Sequence, residues 1–196
     1  WEYSSELTRY GTPMAPMLMP HWTDGCIGSM EGLYFESSTT TPFHFLIQSE
    51  LSTAPSRAQR DLPYRSFDID AGIDHLQQFG VKYYAASSQV ATEKAKQHSS
   101  LTQIANSGPW TIFKVKNSEL VTQLDFEPAV FTQLEHSEWL DPSVEVFQKG
   151  SQAVVRTLGG MGHWQYVDLE EEPERIGLPR VEISEINVDT DRIEFK

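Results

Sequence analysis

The carboxylate pairs Asp68-Ile69-Asp70 and Asp189-Thr190-Asp191 come nearest to a chemical motif in this chain. Two carboxylates one residue apart can hold a divalent cation against a diphosphate, because hard cations favour oxygen ligands. Each pair also has a structural role. Asp70 stands at the start of an apolar helical stripe, where a short acidic side chain caps free backbone N–H groups. Asp189 and Asp191 fall where a hairpin turn is expected. No metal is assigned to either pair.

The other reactive side chains form no recognisable constellation. Six histidines are scattered, namely His21, His44, His75, His98, His136 and His163, without the spacing of a metal-binding helix. His44 lies one turn into a helix among apolar neighbours and reads as a packed residue. No serine sits in a G-x-S-x-G elbow. Gly159-Gly160-Met161-Gly162 lacks the flanking strand, helix start and lysine of a phosphate-cradling loop, and reads as a plain loop. No catalytic residue and no cofactor is assigned.

Aromatic side chains are the remaining chemistry. Sugars present C–H patches that pack on aromatic planes, while carboxylates and amides bind their hydroxyls. Trp164 with Gln165, in a glycine-rich stretch, is the first candidate glycan contact. Trp22 with Asp24 is the second. Trp110 alternates along a strand with Ile112 and reads as core.

Bulk properties narrow the class. The chain has 196 residues, 39% hydrophobic and 22% charged, which is globular rather than disordered. A net charge of −13 repels phosphate backbones and so argues against nucleic acid as a partner. Cys26 is the single cysteine, so neither an intrachain disulfide nor a cysteine metal cluster can form. No apolar run reaches the roughly 18 residues of a membrane span. The sequence begins at Trp1 without a charged–apolar leader pattern, and is expected to be a piece of a longer protein.

The elements that must position these residues follow from local signals. Tyr3, Leu7 and Tyr10 fall at helical spacing. Thr41-Pro42 opens a helix, with Thr41 as cap, Pro42 at the first position and Phe43, Leu46, Ile47 and Leu51 as its stripe. Asp70 is expected to cap a helix carrying Ile73, Leu76 and Phe79, stopped by Gly80. Residues 81–86 read as a central strand, and Ser88 caps a helix running to about His98. Residues 101–105 and 110–115 form strands around the turn Asn106-Ser107-Gly108-Pro109. A short strand over 129–132, a helix from Asp141-Pro142 with Val144 and Phe147 inward, and alternation at Val181, Ile183, Ile193 and Phe195 complete the reading. The expected class is α+β: a mixed sheet with packed helices and a β-rich C-terminal element. An α/β domain spans 1–179, and 180–196 begins a truncated β-rich element.

The phrases GCIGSMEGLYFESSTTTPFHFL, AQRDLPYRSFDIDAGIDHLQQFGVKYYAAS, SGPWTIFKVKNSELV and VEISEINVDTDRIEF together resemble a family of large polytopic membrane proteins of actinobacteria. Their membrane part is similar to C-type glycosyltransferases, which use lipid-linked sugars, and is followed by a domain outside the cytoplasmic membrane. The resemblance covers nearly the whole chain and places it as that C-terminal domain. One branch of the family is implicated in maturation of lipomannan and lipoarabinomannan. The catalytic carboxylate of C-type glycosyltransferases lies near the start of the membrane part, and nothing in this chain corresponds to it.

The resemblance therefore implies an extracytoplasmic accessory domain in cell-envelope lipoglycan assembly. Its partners would be its own transmembrane region and lipoglycan or envelope glycosyltransferases, at the extracytoplasmic face of the membrane. Two rival readings stand beside it: completion of a glycosyltransferase active site that uses a polyprenyl-phosphate sugar, and a structural lid on the membrane part.

Overall fold

A computed structural model describes residues 1–3, 15–29, 39–131, 139–150, 154–155, 164–168, 171, 173–189 and 192–195. The helical spacing of Leu7 and Tyr10, the loop 159–162, His136 and His163 lie outside them. The chain is α+β. It divides into two compact units, Trp1–Leu120 and Val121–Lys196.

The first unit is built around helix α2, Thr41–Glu50. The expected one-sided stripe is exceeded. Nine of its ten residues are buried, Gln48, Ser49 and Glu50 among them. Burial on every side obliges the polar members to find partners inside the protein. Ser49 donates from Oγ to the carbonyl of Leu46 at 2.8 Å. Thr41 is the first helical residue rather than the cap. The cap position is Thr40, which makes no side-chain capping bond, and Pro42 takes the second helical position.

Helix α3, Ile69–Gln78, packs on α2 through Ile73 and Leu76. Its cap is Asp68, not Asp70: the Asp68 carboxylate accepts from Ala71 N at 3.2 Å. The helix starts earlier than expected because Asp68 is extended and its own N–H is taken by Glu50 O at 2.8 Å. At the crossing, Gly72 lets the α3 backbone approach Leu51; a Cβ there would lie 2.6 Å from Leu51 Cγ and Cδ2. Gly80 ends the helix region with φ +64°, as its position predicts.

Strand β1 (Tyr83–Ala86), helix α4 (Gln89–Gln97) and the hairpin β2 (Leu101–Ser107)–β3 (Trp110–Val115) follow. Ser88 caps α4 by accepting from Ala91 N at 3.2 Å. Gly108, at φ +57°, supplies the left-handed turn of the hairpin. The sheet order is β1-β3-β2, all antiparallel. Residues 81–86 are thus not a central strand. Only 83–86 are extended in the sheet, and they form its edge. Hairpin pairing puts β3 in the middle, since β2 and β1 each take one side of it. The buried face carries Tyr84, Ala86, Phe113 and Val115. Trp110 and Ile112 fall on the opposite face and are half-buried, so Trp110 is not core. Tyr84 and Phe113 pair in register, their rings stacked 6.3 Å apart.

The second unit carries β4 (Ala129–Phe131) between two parallel neighbours, β5 (Val154–Val155) and β6 (Gln165–Val167). Parallel neighbours need a crossover, and α5 (Leu140–Lys149) lies between β4 and β5 in the chain with Val144 and Phe147 buried. Gly150 stops α5 at φ +66°. The strands β7 (Ile186–Val188) and β8 (Ile193–Phe195) form an antiparallel hairpin, closed where Asp189 N donates to Arg192 O at 2.8 Å. Asp189 therefore stands at the turn the sequence placed there.

Candidate functional site

The four candidate glycan contacts fall in two places, one in each compact unit. Trp22 ends the single-turn helix α1, Met19–Trp22, which follows a 3-10 turn over Ala15–Leu18. The chain reverses directly afterwards, because Asp24 and Gly25 are both left-handed, with φ of +52° and +78°. Thr23 braces the reversal. Its Oγ1 donates to Met19 O at 2.7 Å and accepts from Ile27 N at 3.0 Å. Gly25 N donates to Pro20 O at 2.8 Å, and Cys26 N to Thr23 O at 3.0 Å. The backbone N–H groups from Thr23 to Ile27 are thus satisfied within the turn. Its side chains project outward: Trp22 is 59% exposed, and Asp24 is exposed two residues along. Leu18 and Ile27 extend the apolar surface. An indole face beside a carboxylate can stack on a sugar C–H patch and accept from its hydroxyls.

Trp164 and Gln165 are differently engaged. Trp164 is half-buried at the start of β6. The Gln165 amide spans to Glu174 with both ends: Nε2 donates to Glu174 O at 2.7 Å, and Oε1 accepts from Glu174 N at 3.0 Å. Those bonds hold the 165–174 connection and occupy the group that would otherwise meet sugar hydroxyls.

A short polar contact between two buried side chains was not legible in the sequence. His75 Nδ1 lies 2.6 Å from Glu50 Oε2, with side-chain exposures of 7% and 0%. The pair ties α3 to α2 across 25 positions of sequence. Glu50 Oε1 has no hydrogen-bond partner among the described residues. A buried carboxylate is costly unless paired, so loss of His75 alone would cost on the order of 3–5 kcal/mol. Sealed from solvent on both sides, the pair presents nothing to a substrate. Its role is to hold two helices together.

The remaining candidates are dispersed. Asp68 is spent as a cap, while Asp70 is exposed and lies 3.2 Å from His98 Nε2. His44 is buried among aromatic neighbours, its ring 6.3 Å from that of Trp1 and 5.3 Å from that of Phe45. Among the described residues no three His, Cys, Asp or Glu side chains gather to hold a metal ion. Among the same residues no helix is long and apolar enough to cross a membrane. No family model, curated protein or solved structure matches the chain.

Proposed function

We propose that this chain is an extracytoplasmic accessory domain of a polytopic membrane protein in cell-envelope lipoglycan assembly, and that it recognises glycan at the Trp22–Asp24 turn. The observation that carries the recognition role is Trp22 itself. It is a large aromatic side chain, 59% exposed, on a turn whose backbone N–H groups are satisfied internally. Exposing that much indole costs stability unless another surface covers it. The phrases that resemble the actinobacterial membrane-protein family supply the setting, and mannose-containing lipoglycan is the glycan class they imply.

A neutral polymer gains no electrostatic attraction from a chain of net charge −13. Binding then rests on stacking and hydroxyl hydrogen bonds. Titration of the full chain with mannan oligosaccharides, followed through the indole N–H resonances, should move the Trp22 signal at about 1 mM ligand, the range expected of a single stacking contact. The shift should be the same in low and high salt, because no charge pairing is screened. Trp22→Ala should abolish binding and leave the melting curve unchanged. If no indole signal moves, the turn is not a glycan site and a protein-facing or lid role takes its place.

A further inference from the structure

Among the described residues of the first unit, Glu2 is the carboxylate that accepts the most side-chain hydrogen bonds, and the proposed function makes no use of it. It is 1% exposed. Its Oε2 accepts from Ser87 N at 2.7 Å, Ser88 N at 2.8 Å and Ser87 Oγ at 3.4 Å. Its Oε1 accepts from Thr53 Oγ1 at 3.1 Å and Thr53 N at 3.5 Å. Five donors from two separate segments therefore converge on one carboxylate. Ser88 is the cap of α4, so the oxygen also faces the positive end of a nine-residue helix.

The backbone on either side is fastened too. Glu2 N donates to Ala85 O at 2.7 Å, alongside the free edge of β1. Tyr3 N donates to Ser52 Oγ at 2.8 Å. Among the described residues no cation pairs with Glu2, and the donors that meet it are backbone N–H groups and hydroxyls. Such a donor set is built for an anion that accepts on two oxygens. A neutral amide presents N–H to N–H on one of its two ends.

We propose that Thr53, Ser87, Ser88 and the α4 N-terminus form a carboxylate-binding socket on the edge of β1, filled in cis by Glu2 of a strap over residues 1–3. The ligand class is a carboxylate carried on an extended strand. The strap covers an edge that would otherwise offer unpaired backbone groups.

The socket can be tested by emptying it and supplying its ligand as a solute. Glu2→Ala in the full chain removes the atoms of one acetate and leaves the backbone bonds of residues 1–3 in place. Acetate at about 100 mM should raise the melting temperature of Glu2→Ala saturably, as a ligand that binds only the folded state does. Chloride at the same ionic strength and neutral acetamide should not, and wild type should respond to none of them. Should Glu2→Ala fail to fold in chloride, recovery of folding in acetate is the readout. Glu2→Gln, which fills the space without the second acceptor oxygen, should melt below wild type. Absence of any acetate-specific effect on Glu2→Ala, equal rescue by acetamide, or wild-type melting of Glu2→Gln would each overturn the proposal.

Discussion

Tyr84 shows at the scale of one residue how burial becomes a measurable pH dependence. Its ring is wholly buried, and its hydroxyl donates to Leu51 O at 2.8 Å. Burial pushes its pKa well above the ordinary value of 10.0, and the Glu2 carboxylate adds to the shift. The sign follows from proton counting. Above pH 10 the unfolded chain releases this proton while the folded chain keeps it, so the unfolded state is favoured as pH rises. The stabilisation is fully present below pH 10 and declines above it, by about 1.4 kcal/mol at one unit above the ordinary value. Tyr84→Phe removes both the hydrogen bond and the titration. At pH 8 the variant should be less stable by about 1 kcal/mol, the net worth of one hydrogen bond. Toward pH 11 the gap should close and invert. Urea denaturation at the two pH values measures it; a constant gap would mean that Tyr84 ionises freely in the folded state.

Elements were legible where the deciding chemistry is local. Ser88 caps α4, Gly108 turns the β2–β3 hairpin and Gly80 ends the α3 region, because cap oxygens and left-handed glycines act within a few residues. What depends on distant partners was hidden. Apolar content placed 81–86 in a sheet but could not say that β3 would stand between β1 and β2. Asp68 and Asp70 are equally good caps on paper, and the Asp68 N–H bond to Glu50 O decided between them. Glu50 and Glu2 carry no local signal, since their partners lie 25 or more positions away in sequence. Trp22 and Asp24 were visible as residue types, but their exposure depends on two left-handed positions and the Thr23 brace. Gly72 marks the contact that best tests the α2–α3 packing. Alanine there gains up to about 1 kcal/mol in helix propensity. It also places a methyl 2.6 Å from Leu51 Cγ, so the buried Leu51 side chain has to shift. Gly72→Ala should therefore be destabilised by about 1–3 kcal/mol in chemical denaturation. A variant as stable as wild type would show that Leu51 gives way at no more cost than the gain in helix propensity.

At the scale of the molecule, the first compact unit, Trp1–Leu120, carries a core of its own. Among the described residues, fifteen buried hydrophobic side chains belong to Trp1–Leu120 and five to Val121–Lys196. Conformational entropy scales with length, whereas stability comes from buried apolar surface, and fifteen buried apolar side chains place the first unit to fold by itself. A fragment of residues 1–120 should unfold cooperatively in urea and give dispersed amide resonances. The same fragment separates the two candidate glycan contacts. It keeps Trp22, Asp24 and the Thr23 brace, and it lacks Trp164 and Gln165. Glycan recognition at the Trp22–Asp24 turn should survive in the fragment at undiminished affinity, because every brace of that turn lies within residues 19–27. A fragment that folds but no longer responds, beside a full chain that does, would move the contact to the second unit and make Trp164 the stacking face.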